Sequence, residues 1–227
     1  MRVAAIVPAA GIGKRLKSAT PKSLVRIFGK PLLAYALANL KKSFSFEEII
    51  AAVPPRQSAS VRRLLRRYSL KGVRLVPGGK TRAESVKNAL ASVSGRCDWV
   101  LVHDAARPMV SPPLVRRLLR EAARTGAAIS AVPVSSTVKR VNTRTGTVLG
   151  TIDRRTVYLA QTPQVFRKSW LVGQYDRLGA RALRLTDEAS FFEGSGVRVK
   201  AVMGDPRNIK ITTLEDIKLF KFFLKCA

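Results

Sequence analysis

Val3-Ala4-Ala5-Ile6-Val7-Pro8-Ala9-Ala10-Gly11-Ile12-Gly13-Lys14-Arg15 is the stretch on which the reading of the whole chain turns. An unbroken apolar run stopped by proline suits a strand buried on both faces. The loop that follows it directly is made of small residues. Small side chains let backbone N–H groups approach phosphate oxygens, and glycine permits the positive φ angles that such a nest requires. Two familiar phosphate motifs do not fit. A dinucleotide fingerprint needs a third glycine at position 16, which is Leu16, and an acidic residue closing the second strand, where Pro54 and Pro55 stand. Gly79-Lys80-Thr81 imitates the end of a Walker loop, yet the loop's first glycine would fall at Arg74. What remains is a glycine loop carrying Lys14, Arg15 and, beyond Pro21, Lys22. Cations so placed suit a triphosphate whose charge rises during reaction. An ordinary turn with surface cations is the other reading of the same residues.

The alternation begun here repeats downstream. Residues 48–53, 73–76, 99–102 and 127–132 are short runs rich in Val, Ile and Leu, as buried strands are. Between them, residues 31–42, 58–68, 82–93 and 112–125 read as helices. Pro112 or Pro113 suits a first helical turn, and Gly126 sits where a helix would be closed. Strand, helix, strand in repetition predicts an α/β fold with a mainly parallel central sheet flanked by helices. The rhythm changes after Pro133. Residues 134–157 are polar and threonine-rich, with Asn142-Thr143-Arg144-Thr145-Gly146 as a hairpin turn, and read as a protruding β-arm. A helix over 168–178, a short helix after Thr186, a strand over 197–202 and a final helix from Thr213 complete the chain. Thr213 with Asp216 three residues on has the shape of a helix N-cap segment. One domain over 1–227, with the arm as an excursion, is the expected organisation.

Composition narrows the classes of function. A hydrophobic share of 46% in 227 residues supplies a core for one sizeable domain. No apolar run reaches the roughly 18 residues of a membrane helix. The opening residues reach Pro8 too soon for a signal peptide. Cys97 and Cys226 stand far apart, which suggests neither a disulfide framework nor a zinc site, so the cytoplasm is the expected compartment. The net charge of +28, from 42 basic and 14 acidic residues, attracts phosphate-bearing partners of any size. Arg62, Arg63, Arg66 and Arg67 recur at helical spacing, as do Arg116, Arg120 and Arg124, opposite apolar faces that mark solvated helix surfaces. A nucleic-acid-binding module is the alternative from another class. It predicts aromatics interleaved with those clusters for base stacking, and they contain none, so nucleic acid is not an expected partner.

Taken together, these residues resemble the 2-C-methyl-D-erythritol 4-phosphate cytidylyltransferases. The likeness rests on residues 8–15, on Pro21-Lys22, and on His103-Asp104-Ala105-Ala106-Arg107-Pro108. It continues through Gly78-Gly79 with Arg82 and Ser85, Thr137-Val138-Lys139-Arg140, Asp153-Arg154 and Gln161-Thr162-Pro163-Gln164. Thr186-Asp187-Glu188-Ala189-Ser190 and Asn208-Ile209-Lys210-Ile211-Thr212 close the series. The blocks are collinear over nearly the whole chain. The resemblance implies a Rossmann-like nucleotidyltransferase fold, CTP and a small polyol phosphate as partners, Mg²⁺, and a homodimer joined partly through the arm. It further implies that Arg15 and Lys22 stabilise the transition state, while Arg154 and Lys210 position the acceptor phosphate. Pro8, Ala9, Ala10, Gly11, Gly13, Gly79, Ser85 and Ala105 would line the nucleotide site. Asp104 would meet ribose and metal, and Arg107, Thr137, Thr162 and Thr186 would hold the polyol phosphate.

Elementary chemistry agrees with such a reaction. A phosphate monoester has a second pKa of about 6 and is largely ionised at neutral pH. It needs no general base, and the chain has one histidine and no apparent nucleophile set. Attack of one anion on another needs cations already in place. Bland readings stand beside the sharp ones. His103 reads as structural, Asp104 as a possible local partner of Arg107, and Asp153-Arg154-Arg155 as a possible solvated cluster. Lys210 between Ile209 and Ile211 is expected to face outward from a strand. Lys80, Ser23 and Ser136 depart from the family pattern. A ribitol 5-phosphate cytidylyltransferase shares the loop and the His-Asp-Ala block; Lys139 and the block 186–190 favour the methylerythritol phosphate family.

Overall fold

The apolar run near the N-terminus is strand β1 (Val3–Pro8), and it lies inside a seven-stranded sheet. The architecture is that of a computed structural model, which describes residues 1–11 and 21–226. After β1 come a small hairpin of β2 (Arg26–Ile27) and β3 (Lys30–Pro31), then α1 (Leu32–Ser43), β4 (Glu48–Val53) and α2 (Ser58–Arg67). They are followed by β5 (Val73–Pro77), α3 (Arg82–Ala91), β6 (Trp99–Val102), α4 (Pro112–Thr125) and β7 (Ala127–Pro133). The arm is β8 (Val138–Val141) with β9 (Val148–Ile152). A long strand β10 (Tyr158–Arg167), α5 (Lys168–Leu178), β11 (Lys200–Met203) and α6 (Leu214–Lys225) complete the order.

The sheet runs β11-β7-β10-β6-β1-β4-β5. β1 pairs in parallel with β4 and β6, β4 with β5, and β7 with β11. Both faces of β1 are covered, which is why its sequence carries no polar residue. Val3, Ala5 and Val7 meet Leu37 of α1, Val61 of α2 and Leu118 of α4 in one core. Ala4 and Ile6 belong to the opposite core with Val86 of α3, Phe166 of β10 and Leu171 of α5. Helix ends follow their sequence signals. Gly126 closes α4 at φ 86°, its N–H donating to Ala122 O at 2.7 Å. Thr213 and Asp216 form a reciprocal capping box at the start of α6. The arginines of α2 and α4 singled out by spacing are exposed, while Val61, Leu65, Leu114 and Leu118 are buried.

Two expectations change. β10 occupies a stretch to which the sequence reading assigns no strand, and it contains Pro163, which lacks the N–H that a central strand uses. The strand runs antiparallel to both β6 and β7 and takes up the proline at a register shift between Ala160 and Gln164. The strand expected over 197–202 begins only at Lys200, and Lys210 lies on no strand. Ile211 is buried and its N–H donates to Ala106 O at 2.8 Å, so the segment is pinned to the loop after β6 and Lys210 turns inward. The arm stands as read. Its turn closes with Gly146 N–H donating to Asn142 O at 2.8 Å, and Val141, Val148, Leu149 and Ile152 are exposed on it. Among the described residues no helix is long and apolar enough to cross a membrane.

Candidate active site

Parallel strands β1, β4, β5 and β6 bring their carboxyl ends to one edge, where open α/β sheets hold their ligands. The loop leaving β1 begins with Ala9 N–H donating to Ala52 O at 2.8 Å; the loop leaving β5 begins with Gly78 N–H donating to Val53 O at 2.8 Å. A Cβ on Gly78 would collide with the Ala10 side chain, so glycine is what lets these loops touch. Pro8, Ala9, Ala10 and Gly11 from the first loop and Gly79 from the second line a cavity of about 250 Å³. Lys22, Ser85, Asp104, Ala105 and Lys210 complete it. Gly13, Lys14 and Arg15 lie outside the described residues. Ser85 shapes the wall: its hydroxyl donates to Thr81 O at 2.9 Å and accepts from Gly79 N–H at 3.0 Å. Ser23 donates to Ala9 O at 2.8 Å, tying the turn that carries Lys22 to the loop after β1.

A second cavity, of about 150 Å³, adjoins the first and contains Arg107, Thr162 and Thr186. Both cavities share Arg82, Asp104 and Lys210. Asp104 is the centre of that wall. Its Oδ1 accepts from Arg82 Nε at 2.7 Å and its Oδ2 meets Lys210 Nζ at 2.7 Å. Burial works against the charge of Asp104, but Arg82 and Lys210 outweigh it and hold the carboxyl far below the usual carboxylate range. The local pair of Asp104 with Arg107 is replaced by these contacts. Arg107 is buried and donates to Asn208 O at 2.7 Å and Ala160 O at 3.2 Å, so its guanidinium rivets the loop after β6 to β10 and to the loop carrying Asn208 at the edge of the second cavity.

The Gln161–Gln164 block is a second rivet. Gln161 exchanges hydrogen bonds with Asp205, and Gln164 Nε2 donates to Asp187 Oδ2 at 2.8 Å. Thr162 holds the loop after β6, its oxygen accepting from Asp104 N–H at 3.0 Å. His103 Nε2 lies 2.9 Å from Arg107 O, and a carbonyl only accepts, so the proton sits on Nε2 and Thr162 donates to Nδ1 at 3.2 Å. The hydroxyl of Thr162 is thus spent on both sides. His103 has no exposure and a structural role. Burial pushes its pKa down to about 4, with Arg107 O, which favours the protonated ring, the next influence. The unfolded chain therefore binds the proton more readily, and stability falls as pH drops from about 6.5 to about 4. Thermal unfolding of His103→Gln should show a shallower loss than wild type across that window, the difference reaching up to about 3 kcal/mol. Equal slopes would remove His103 from this account. Glu188, whose carboxyl shifts the other way, is common to both proteins.

Other expected residues lie elsewhere. Thr137 and Arg154 are exposed at the base of the arm and line neither cavity; Arg154 Nη1 donates to Ser135 O at 2.6 Å. The residues that spacing alone did not reveal are Arg82 and Glu188. Both stood inside quoted blocks, but nothing in the sequence joins residues 106 positions apart; the structure does, with Arg82 Nη1 2.8 and 2.9 Å from the Glu188 oxygens. The metal assigned to Asp104 finds a poor host. Both of its oxygens already meet cations, and no cluster of three His, Cys, Asp or Glu side chains exists among the described residues. These donors do not form a resident Mg²⁺ site.

A mainly parallel sheet whose carboxyl edge carries a glycine loop and a cation-lined double cavity places the chain among the α/β nucleotidyltransferases. Residues 3–226 match the family described as IspD, 2-C-methyl-D-erythritol 4-phosphate cytidylyltransferase, and the chain belongs to that family. A cytidylyltransferase of that name from Syntrophus aciditrophicus is 39% identical over 226 residues, covering 99% of this chain and 96% of the relative. A bifunctional IspD/IspF enzyme from Desulfotalea psychrophila is 40% identical over 98% of this chain, which spans only 56% of that relative. The crystal structure of 4-diphosphocytidyl-2C-methyl-D-erythritol synthase from Anaerococcus prevotii superposes with a TM-score of 0.86 at 30% identity, covering 99% of this chain and 98% of the other. The enzyme from Thermus thermophilus gives 0.81, also at 30% identity, covering 99% and 100%.

Proposed function

We propose that this chain transfers the cytidylyl group of CTP to 2-C-methyl-D-erythritol 4-phosphate, giving 4-diphosphocytidyl-2-C-methyl-D-erythritol and pyrophosphate. The observation that carries the reading is the pair of adjoining cavities with Arg82, Asp104 and Lys210 as their common wall, in a chain of this family. A donor nucleotide fits the glycine-loop side, where Lys22 faces the triphosphate. An acceptor phosphate fits the other, with Lys210 between them. The acceptor oxygen attacks the α-phosphorus, the bond to the β-phosphate breaks, and pyrophosphate leaves. No protein nucleophile or base is required, because the acceptor is already an anion. The protein contributes placement and fixed positive charge.

Mg²⁺ belongs to the proposal as a companion of the CTP phosphates, since this ion keeps its waters and takes phosphate oxygens readily. A homodimer through the exposed apolar face of the arm is likewise part of it, and so is a cytoplasmic setting, in keeping with the free thiols of Cys97 and Cys226. Pyrophosphate release with CTP and either methylerythritol phosphate or ribitol 5-phosphate tests the reaction. Turnover with the first acceptor is expected. Turnover with ribitol phosphate alone would transfer the chain to the other polyol, and turnover with neither would refute the reaction.

A further inference from the structure

Glu188 is fully buried, yet it borders neither cavity. Its two oxygens accept from the same Arg82 nitrogen, Nη1. The Nε of that guanidinium donates to one oxygen of Asp104, and the other oxygen of Asp104 is held by Lys210. Four charges therefore alternate along one line from core to wall: Glu188, Arg82, Asp104, Lys210. Withdrawing a carboxylate from water costs several kcal/mol, and a buried ion pair often returns no net stability over an apolar pair of the same shape. The neighbouring core, with Tyr175, Phe191 and Phe192, could have been completed without a charge. Burial first, and then Asp104 and Asp187, push the Glu188 carboxyl upward against the opposing pull of Arg82. What the burial does supply is fixity.

The geometry of Arg82 says what is being fixed. A guanidinium beside a lone carboxylate closes on both oxygens in a two-pronged arrangement. Arg82 does not close on Asp104 in that way. Its Nη1 is held by Glu188 and its Nε by one Asp104 oxygen, while Nη2, the nitrogen that would close the second prong beside Nε, is buried without a hydrogen-bond partner. The second Asp104 oxygen meets Lys210 Nζ. We propose that Glu188 is a positioning residue: by anchoring Nη1 it fixes the orientation in which Arg82 meets Asp104 through Nε, and through Asp104 it holds the Lys210 ammonium at the wall between the two cavities. This rests on the reading that Lys210 serves the acceptor phosphate. Tyr175 supports the same frame, its hydroxyl donating to Ala83 O at 3.0 Å beside Arg82.

The test is a double-mutant cycle on the purified full chain, read by pyrophosphate release, with a crystal structure of Glu188→Gln. The amide keeps the shape and removes the charge. It is expected to lower kcat on the order of 100-fold, as small misplacements of a positioned group do, with KM for CTP within about threefold of wild type. In a Lys210→Ala background, Glu188→Gln should lower kcat by less than about threefold, because the group it positions is gone. An equal loss in both backgrounds would overturn the proposal and leave Glu188 a residue of general structure. The crystal structure is expected to show the Arg82 guanidinium reoriented against Asp104 and Lys210 displaced. A Lys210–Asp104 contact intact in that structure would overturn it as well. If Glu188→Gln does not fold, Glu188→Asp, with the charge on a shorter stem, is carried through the same cycle. A wild type that uses neither polyol phosphate would refute the proposed reaction only, since the displacement of Lys210 is read from coordinates in either case.

Discussion

Lys22→Ala is expected to lower turnover by about 3 kcal/mol, roughly 150-fold, with little change in thermal stability. Lys22 opens a short turn, Lys22–Leu24, that is closed by its own backbone and fastened by Ser23 to the loop after β1. Ser23 donates to Ala9 O, Leu24 N–H donates to Pro21 O at 2.8 Å, and Val25 N–H donates to Lys22 O at 3.2 Å. The backbone under the ammonium is therefore set before any ligand arrives, and Lys22 lines the cavity with Pro8–Gly11 on one side and Lys210 on another. In the proposed reaction negative charge gathers on the departing pyrophosphate, and a cation already in place needs no reorganisation when it does so. A solvent-exposed lysine would contribute far less, because water and salt would screen it. The signature is a fall in kcat under saturating CTP and acceptor, measured by pyrophosphate release and by single-turnover formation of the cytidylylated product. Unchanged kcat would take Lys22 out of catalysis and return the loop to an ordinary turn. Arg15→Ala is expected to show a comparable loss, on the strength of the family resemblance.

The sheet was legible in the sequence where each strand had two buried faces or a helix after it. β1 and β6 are uninterrupted apolar runs, β4 is one after Glu48, and α2 and α4 alternate buried leucines with exposed arginines. The physics of burial writes itself directly into such segments. β10 escaped because its pairing partners are remote and its proline is absorbed by a register shift, which only the neighbouring strands reveal. The site divides in the same way. Pro8–Gly11 and Lys22 could be found because close backbone approach to phosphate demands small residues and cations at short spacing, whereas Gly79 was reached only through the family resemblance. Arg107 and Thr162, which the resemblance assigns to the acceptor, line the second cavity; that they also hold backbone carbonyls, Asp104 N–H and His103 was not legible in the sequence. Lys210 was read as outward-facing from its apolar neighbours; the contact of Ile211 with the loop after β6 reverses that. The Glu188–Arg82 pair was invisible, since a buried charge shows in sequence only as a charge.

Mixing two inactive variants should restore activity if the arm works across a dimer. Thr137 and Arg154 lie at the arm's base, exposed and outside both cavities of their own chain, although the family resemblance assigns them to the acceptor. The arm and its root also expose Val148, Leu149, Tyr158 and Leu159, an apolar face of the kind that a second copy would cover. A two-fold dimer docked there has each arm reaching toward the other protomer, and a two-fold interface makes the exchange reciprocal. Arg154 of one chain would then meet the acceptor phosphate held against Lys210 of the other. Lys22→Ala and Arg154→Ala are each expected to lose most turnover as pure proteins, Arg154→Ala while still binding CTP. In a mixed dimer, one site joins an intact Lys22 to an arm with an intact Arg154, and the other site carries both lesions. Random re-association of equal amounts makes about half of all dimers mixed, so activity should recover to about one quarter of wild type. If Arg154 served its own chain, every site in the mixture would carry one lesion and no recovery would follow. Activity that stays at the level of the separate variants, after mass measurement has verified that mixed dimers formed, would therefore place Arg154 in its own protomer and leave the arm with assembly alone.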